Sequence, residues 1–482
     1  MHLVAVGGSD AGISAALRAR ELDPSAEVTV VVADAFPNFS ICGIQYYVSG
    51  EVTHWRDLAH RTIADLEATG MQLRLDTTAH GIDTGSKKLL VTDRFGAEEQ
   101  IAYDKLVIGT GARPVVPPIV GLTGRYALSA SDGVHLLHSM GDTFALMRTL
   151  EDRSPQTAVI VGAGYIGLEM AEALVARGLR VTQMEQLDEV LPTVDPGLGA
   201  LVRDELTAHG VEVLTRTTVT EISRTGRDSQ FRLAVHAVDP DQASLIRIVD
   251  LVLVVVGVRP DTALASNAGA ELGPGKAIAV DRHMRTNIPD VFAAGDCAVT
   301  RHRLLGDTYL PLGTTAHKQG RVAGENALGA DRAYTGSLGT QVVKVFDQAI
   351  ARTGLRDREA TTAGWSATTV GSEADDHKAY YPDSHRITMR FTADRVTHQL
   401  LGVQLFGHRH AEVAKRIDIA ATAIHNTMSI DSINDLDLSY TPPLGSPWDA
   451  IQLGSQAWLR AQAGEPSTSD TTAEDAVEGA SP

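Results

Sequence analysis

Two stretches of the chain share one pattern of apolar and polar positions. The apolar run 3–6 (LVAV) leads through a glycine turn into a helical stretch at 11–22 and a second apolar run at 27–32. The same order of strand, glycine turn, helix and strand recurs at 158–185. Runs that are apolar on both faces are typical of parallel strands covered by helices. The pattern therefore predicts an α/β fold with two βαβ units.

Changes in this pattern suggest where the domains divide. From about residue 336 the strands become shorter and alternate in polarity, which predicts a separate α+β domain. After residue 464 the chain holds five acids, no bases and few apolar residues, a composition typical of disorder. The predicted domains are residues 1–118 with 250–335, an inserted domain at 119–249, a third domain at 336–460, and a disordered acidic tail at 461–482.

Composition excludes several classes of protein. The 482 residues are 43% hydrophobic and 21% charged, which is ordinary for a globular enzyme. A net charge of −18 argues against nucleic acid or an anionic membrane as partner. Two cysteines exclude a disulfide framework and argue against a zinc cluster, so we predict no metal site. With no signal peptide and no apolar run long enough to cross a bilayer, we expect a reducing cytoplasm.

The second glycine turn fits a dinucleotide fingerprint. Its glycines permit a tight turn, close approach of a pyrophosphate and close packing of helix on strand. Glu185 ends the following strand, 18 residues after the last glycine, where a carboxylate binds ribose hydroxyls and repels a 2′-phosphate. We therefore predict NADH rather than NADPH. The residues of this turn are Gly162, Gly164, Tyr165, Ile166 and Gly167, and Gly257 follows a further buried strand of the fold.

The first glycine turn is irregular. It runs Gly7-Gly8-Ser9-Asp10-Ala11-Gly12, with serine in place of the middle glycine, and the nearest ribose carboxylate is Asp34. Two later segments are expected to contact an extended dinucleotide: Thr110-Gly111 with Arg113, and Gly295-Asp296. Two dinucleotide sites imply internal electron transfer, and a flavin is the usual acceptor of hydride from a nicotinamide. The segments 1–118 and 250–335 are thus predicted to bind FAD, and 119–249 to bind NADH.

Cys42 is the candidate redox group. It follows the second strand of the first unit by about ten residues, in the region that passes beneath the ring end of an extended flavin dinucleotide. The alternative is a buried small hydrophobe. Tyr47 stands where a dithiol enzyme carries its second cysteine, and Cys297, the other cysteine, is expected to be structural. A lone redox cysteine stores its oxidation as a mixed disulfide or a sulfenic acid.

The chain resembles the single-cysteine branch of the flavin-dependent pyridine nucleotide–disulfide oxidoreductases, which includes coenzyme A-disulfide reductase, NADH oxidase and NADH peroxidase. The motifs that carry the resemblance are GGSDAGISAA, NFSICGIQYYVSG, YDKLVIGTGARP, VIVGAGYIGLEMAE, TNIPDVFAAGDCA, YLPLGTTAHKQGRVAGENALG, GTQVVKVFDQAIARTGL and DLDLSYTPPLGSPWD. It implies two Rossmann-like dinucleotide-binding domains, for FAD and NADH, plus a C-terminal α+β dimerisation domain.

The resemblance also implies a homodimer with a shared active site and roles for single residues. Tyr440 resembles the tyrosine sent to the partner's cysteine, where it would protonate a leaving thiolate. Tyr165 resembles the aromatic gate where the nicotinamide stacks, and Glu169 the acid nearby. The helix that opens at Gly313-Thr314-Thr315 would aim its positive end at the flavin. We expect the flavin and helix ends to lower the pKa of Cys42.

Departures from the family bear on the substrate. Asp10 stands where peroxidase and water-forming oxidase relatives carry a histidine, and an anionic Asp10 would raise the Cys42 pKa. It could instead act as a protonated acid or cap the first helix. Candidate contacts to coenzyme A phosphates or the disulfide are Arg18, Arg20, Asn38, Arg61 and His317. Arg18 and Arg20 could equally be solvated arginines paired with Glu21 and Asp23, and His317 could equally serve helix packing.

These features predict reduction of a small disulfide or persulfide, with coenzyme A disulfide as the leading candidate. The first alternative is an NADH oxidase or peroxidase that uses a Cys42 sulfenic acid. The second is an electron-transfer or redox-sensing flavoprotein with a protein partner, in which Cys42 takes no part.

Overall fold

The computed structural model describes residues 1–226 and 232–464 and separates two compact units, residues 1–337 and the chain from Leu338 onward. The strands of the first unit are β1 (His2–Val6), β2 (Glu27–Val31), β3 (Gln72–Arg74), β4 (Thr77–Asp83), β5 (Lys88–Asp93), β6 (Glu98–Ala102), β7 (Lys105–Ile108), β8 (Ala112–Pro114), β9 (Val134–Leu136), β10 (Thr157–Val161), β11 (Arg180–Met184), β12 (Glu212–Leu214), β13 (Thr218–Thr225), β14 (Arg232–Val238), β15 (Ser244–Val249), β16 (Leu251–Val254), β17 (Val258–Pro260), β18 (Val291–Ala293), β19 (Thr300–His302) and β20 (Gly306–Thr308). Its helices are α1 (Asp10–Leu22), α2 (Ile44–Ser49), α3 (Ile63–Ala68), α4 (Met140–Arg153), α5 (Tyr165–Ala176), α6 (Pro196–Ala208), α7 (Ala263–Asn267) and α8 (Gly313–Ala327), with short 3₁₀ turns at Ile41–Gly43, Trp55–Leu58, Ala130–Asp132 and Pro274–Lys276.

The first unit contains two parallel sheets of the same design. The order β18-β7-β1-β2-β3 forms one sheet and β12-β11-β10-β16-β9 the other, and every neighbouring pair is parallel. One face of the first sheet packs on α1 and α8, and the other on the antiparallel sheet β4-β5-β6. The antiparallel sheet β13-β14-β15 covers a face of the second. Both predicted βαβ units, and with them the α/β class, are confirmed.

Helices α1 and α8 cross at very short range because glycines stand at their contact. A Cβ atom added at Gly320 would lie 2.3 Å from the carbonyl oxygen of Ala11, and one at Gly324 would lie 2.4 Å from that of Ala15. Any larger residue would push the helices apart. The approach brings the polar side chains at the beginnings of both helices together.

The second unit is a five-stranded antiparallel sheet with helices against it. It contains β21 (Gln341–Val345), β22 (Gln348–Gly354), β23 (Ala367–Asp375), β24 (Arg386–Asp394), β25 (Leu400–His408), α9 (Asp357–Thr362), α10 (Val413–His425), α11 (Ile430–Asn434) and α12 (Ala450–Ala463). The strand order is β21-β22-β25-β24-β23. Trp458 of α12 is fully buried, and its indole N–H donates to the carbonyl of Thr368 on β23. This is the predicted α+β arrangement.

Three details differ from the sequence-based expectations. The buried strand expected directly before Gly257 ends already at Val254, and Gly257 adopts a φ of +110° in the turn before β17. Helix α5 begins at Tyr165, within the predicted glycine turn and before its last glycine, Gly167. Helix α12 continues to Ala463, so residues 461–463 are helical and not part of a disordered tail, while the rest of the predicted tail, 465–482, lies outside the described residues.

Candidate active site

The first glycine turn forms a cradle that side chains would fill. Gly7 has a φ of +119°, and a Cβ atom there would lie 2.0 Å from the carbonyl oxygen of Gly109. A Cβ atom at Gly12 would lie 2.1 Å from the carbonyl oxygen of Gly7, and one at Gly8 would meet Val32. Ser9 precedes α1 and makes no side-chain capping bond, so the N–H groups of the first turn can serve an anion. These residues fit the pyrophosphate of a bound FAD.

Gly295, Asp296 and the first turn of α8 are the next residues predicted to contact FAD. Gly295 has a φ of +83°, and an added Cβ atom would lie 2.8 Å from the Cβ atom of Ala11 at the opening of α1. Burial and the charge of Asp10 raise the pKa of the neighbouring Asp296 to about 6. Thr314 is exposed in the first turn of α8, whereas Thr315 is buried. Gly295 thus lies against both α1 and α8, and the contact of Gly295, Asp296 and this helix end with FAD stays a prediction.

Three other predicted FAD contacts, Thr110, Arg113 and Asp34, form hydrogen bonds within the protein. Thr110 Oγ1 donates to the carbonyl of Asp261 at 2.5 Å, and Arg113 Nε donates to its carboxylate at 2.7 Å. These bonds join the neighbouring connecting strands β8 and β17. Gly111 has a φ of +70° in the turn between β7 and β8. Asp34 is exposed and accepts from the Phe36 N–H at 2.9 Å, and its role as ribose ligand stays a prediction.

The second glycine turn resembles the first, and the carboxylate of Glu185 forms hydrogen bonds with the backbone beside it. A Cβ atom at Gly167 would lie 2.2 Å from the carbonyl oxygen of Gly162, whereas Gly164 has no atom within 4 Å of an added Cβ and so leaves room for a pyrophosphate. Glu185 is buried, and its two oxygens accept from the N–H groups of Ala163 (2.8 Å) and Leu187 (2.9 Å). The carboxylate is thus fixed beside the turn, where the ribose of NADH would bind.

Tyr165 and Glu169 lie on α5, which starts at this turn. Thr193 Oγ1 donates to the hydroxyl oxygen of Tyr165 at 2.9 Å, which restrains the ring. The next residue, Ile166, is 38% exposed. The charge of Glu169 acts on Cys42, so α5 links the second glycine turn to the cysteine.

Cys42 lies in the 3₁₀ turn that leads into α2. Its side chain is exposed, and its carbonyl accepts from Gln45 Nε2 at 2.6 Å. Partial burial raises the pKa of the thiol, and the charges of Glu169, Asp10 and Asp296 raise it further. The effect of Asp10 has the expected sign, and the lowering of the Cys42 pKa by a bound flavin and the helix ends stays a prediction. Cys297 is fully buried, with Sγ against the carbonyl oxygen of Ile108.

Asp10 belongs to a cluster that the α1–α8 crossing creates. Its Oδ1 lies 3.3 Å from Nε2 of His317, and Ser14 Oγ lies 2.9 Å from Nδ1 of the same imidazole. The ring centroid of His60 is 6.3 Å from that of His317. Asp10 is the first residue of α1, so it does not cap the helix, and burial raises its pKa against the opposing effects of the two histidines.

The candidate substrate arginines separate into two groups. Arg18 pairs with Glu325 and, at 2.9 Å, with Glu21, while Arg20 donates to the carbonyl oxygens of Thr69 (2.8 Å) and Pro24 (2.7 Å). These bonds correct the assignment of both arginines to substrate phosphates, since their donors already hold the protein together. Arg61 is exposed, and its Nη1 donates a long hydrogen bond of 3.5 Å to Oδ1 of Asn38, which is buried.

Tyr440 belongs to the second unit. It is 45% exposed, on the segment between α11 and α12.

Sequence reasoning missed Ser14, His60 and Arg177. Ser14 and His317 are 303 residues apart in the chain, so only the helix crossing reveals their contact. None of the helices in the described part of the chain combines the length and the apolar composition of a membrane span.

Comparisons with known proteins agree over nearly the whole chain. The family model described as pyridine nucleotide-disulphide oxidoreductase matches residues 1–320, and the model of its dimerisation domain matches residues 340–450. The chain is 32% identical to the NAD(P)H sulfur oxidoreductase (CoA-dependent) of Pyrococcus abyssi over 93% of this chain and 96% of that protein. It is 30% identical to an NADH oxidase of Methanocaldococcus jannaschii over 95% and 99%. An NAD-dependent persulfide reductase from A. fulgidus superimposes with a TM-score of 0.88 and 34% identity, over 96% of this chain and 84% of that one.

Proposed function

Because this chain belongs to the pyridine nucleotide-disulphide oxidoreductase family, whose members use FAD and NAD(P)H, we propose that it reduces a small disulfide or persulfide through Cys42 at the expense of NADH. Coenzyme A disulfide is the leading candidate. The observation that carries the proposal is the exposure of Cys42 beside α5, whereas Cys297 is fully buried. The names of the relatives support it, since they include a CoA-dependent sulfur oxidoreductase and a persulfide reductase.

The proposed reaction balances in two stages. The Cys42 thiolate attacks a disulfide RS–SR′, which forms the mixed disulfide Cys42–S–SR′ and releases RS⁻. An electron pair from NADH then cleaves the mixed disulfide to the Cys42 thiolate and R′S⁻, and protonation completes RSH and R′SH. Bound FAD would supply the relay that accepts hydride from NADH and passes the electron pair on.

The other roles in the proposed reaction are assigned to residues of this chain. The glycine turns at Gly7–Gly12 and Gly162–Gly167 hold the two pyrophosphates, and Glu185 selects the ribose of NADH. Arg61 and Asn38 are proposed to receive the substrate. Tyr440 is proposed to protonate the leaving thiolate in the partner subunit of a homodimer, a reading that the matched dimerisation domain supports. We propose that the enzyme acts in a reducing cytoplasm, where free cysteines such as Cys42 and Cys297 are usual.

A single substitution tests this proposal. Cys42→Ser is expected to abolish NADH-dependent reduction of coenzyme A disulfide while FAD content and NADH–dye electron transfer persist. Cys297→Ala is the matched control and should retain disulfide reduction. Disulfide turnover that survives in Cys42→Ser would refute the role of this cysteine. Oxygen consumption that depends on Cys42, without disulfide turnover, would support the NADH oxidase alternative that the M. jannaschii relative suggests.

A further inference from the structure

A cluster of three metal-binding side chains lies where α1 and α8 cross. Asp10 comes from the first turn of α1, His317 from α8, and His60 from the loop before α3. One donor atom from each side chain lies within 4.8 Å of the other two. The described residues thus gather two imidazoles and one carboxylate from three separate elements at one point.

The spacing of these donors suits a small cation. Ligand atoms that bind Zn²⁺ tetrahedrally at about 2.0–2.1 Å lie roughly 3.3 Å from one another. Oδ1 of Asp10 and Nε2 of His317 are 3.3 Å apart. His60 is exposed on a loop and can adjust to the ion. Contrary to the sequence-based prediction of no metal site, we propose that Asp10, His60 and His317 form a binding site for Zn²⁺.

The surroundings of His317 resemble the supporting shell of a metal site. Metal-bound histidines commonly donate their second ring N–H to a neighbouring polar group, which fixes the ring and its tautomer. Ser14 Oγ lies 2.9 Å from Nδ1 of His317 and is buried in α1. This contact leaves Nε2 to face Asp10. Oδ2 of Asp10 lies beside Gly313, and a Cβ atom added at Gly313 would lie only 3.0 Å from this oxygen. The glycine therefore leaves room for the carboxylate.

The donor set decides which ion the site prefers. Two imidazole nitrogens with one carboxylate favour a borderline ion such as Zn²⁺ over Mg²⁺ or Ca²⁺, which prefer oxygen ligands. Three protein ligands leave a fourth position for water or another ligand. The positive ends of α1 and α8 oppose a cation. We therefore expect weaker binding than at a four-ligand structural zinc site.

Zinc binding can be measured directly on the FAD-loaded protein. After removal of metals with EDTA, Zn²⁺ is titrated by calorimetry, and bound metal is counted by elemental analysis after dialysis. Wild type is expected to bind one more Zn²⁺ per chain than His60→Ala or His317→Ala, or to bind it at least tenfold more tightly. His80→Ala, which removes an exposed histidine of β4, is the matched control and should bind like wild type.

A variant of Cys42 tests whether this nearby thiol, rather than the three proposed ligands, binds the zinc. Cys42→Ser should retain the zinc, and X-ray absorption of its zinc complex should show nitrogen and oxygen ligands including two imidazoles. Identical binding by wild type, His60→Ala and His317→Ala would overturn the proposal, as would loss of the zinc in Cys42→Ser. Because these readouts need neither NADH nor a disulfide, they stand or fall separately from the proposed reductase activity. Retained FAD absorbance shows that each variant is folded.

Discussion

Arg177 donates a hydrogen bond from Nε to the carbonyl oxygen of Val48 at 2.5 Å. Arg177 directly follows α5, the helix that begins at the second glycine turn, and Val48 belongs to α2, which follows Cys42. The bond therefore ties the helix of the proposed NADH site to the segment that carries the redox cysteine. No local pattern in either segment indicates it, since 129 residues separate the two partners.

Removal of this bond should loosen the cysteine segment. Arg177→Ala is expected to lower the free energy of unfolding by about 1 kcal/mol, the usual net value of one hydrogen bond. Because α2 loses an anchor, disulfide turnover should fall while NADH–dye electron transfer is kept. The exposed Arg180→Ala is the control. Equal stability and turnover in the two variants would show that the bond does not position the segment.

Glu185 is expected to decide between NADH and NADPH. Its buried carboxylate would repel a 2′-phosphate, and a charge interaction of about 1–2 kcal/mol corresponds to roughly tenfold in selectivity. Glu185→Gln should therefore lower the ratio of kcat/KM for NADH over NADPH by about tenfold or more. It should also raise the KM for NADH, because the carboxylate holds Ala163 and Leu187.

The control for this experiment is Glu151→Gln, which removes the same charge from an exposed position on α4. It should leave the ratio unchanged. A Glu185→Gln protein that keeps the full preference for NADH would assign selectivity to other residues.

Tyr440 provides a test of the shared active site. If its hydroxyl protonates the leaving thiolate, Tyr440→Phe should reduce kcat for disulfide reduction by roughly 100-fold, the lower end of general acid catalysis. The KM for NADH should not change. Tyr380→Phe, at an exposed tyrosine of the same unit, is the matched control. A kcat equal to that of wild type would remove Tyr440 from the mechanism.

Glu359 should make the second unit sensitive to acid. Despite burial, its bonds to Arg352 and Arg356 lower its pKa to about 2, from 4.5. A carboxylate whose pKa is depressed on folding contributes stability above its unfolded pKa and loses it as the pH falls through the folded value. The shift corresponds to at most about 3 kcal/mol.

Glu359→Gln should therefore be less stable than wild type by a constant amount above pH 5, and the difference should shrink as the pH falls from 4.5 towards 2. Urea unfolding followed by tryptophan fluorescence can measure this, since three of the four tryptophans lie in the second unit. A difference that is the same at pH 7 and pH 3.5 would contradict the assignment.

The sequence predicted those parts of the molecule that local pattern determines. Glycine spacing located both turns and Glu185, because tight turns and close helix packing demand glycine at fixed intervals. Prediction from the sequence failed where contacts between distant segments determine the role of a residue. Arg18 and Arg20 look like a basic approach for substrate, yet Glu325 and the carbonyl of Thr69 bind them from distant segments. The same holds for Ser14 and His317, which meet only because Gly320 and Gly324 let two helices cross closely.

Intact-mass spectrometry of the FAD-loaded protein most directly tests the claim that Cys42 carries the substrate thiol. The reduced protein is incubated with coenzyme A disulfide, without and then with NADH. We predict one added coenzyme A per chain, located at Cys42, absent in Cys42→Ser and removed by NADH. A protein that gains no adduct, keeps it in the presence of NADH, or gains only one oxygen would contradict the account.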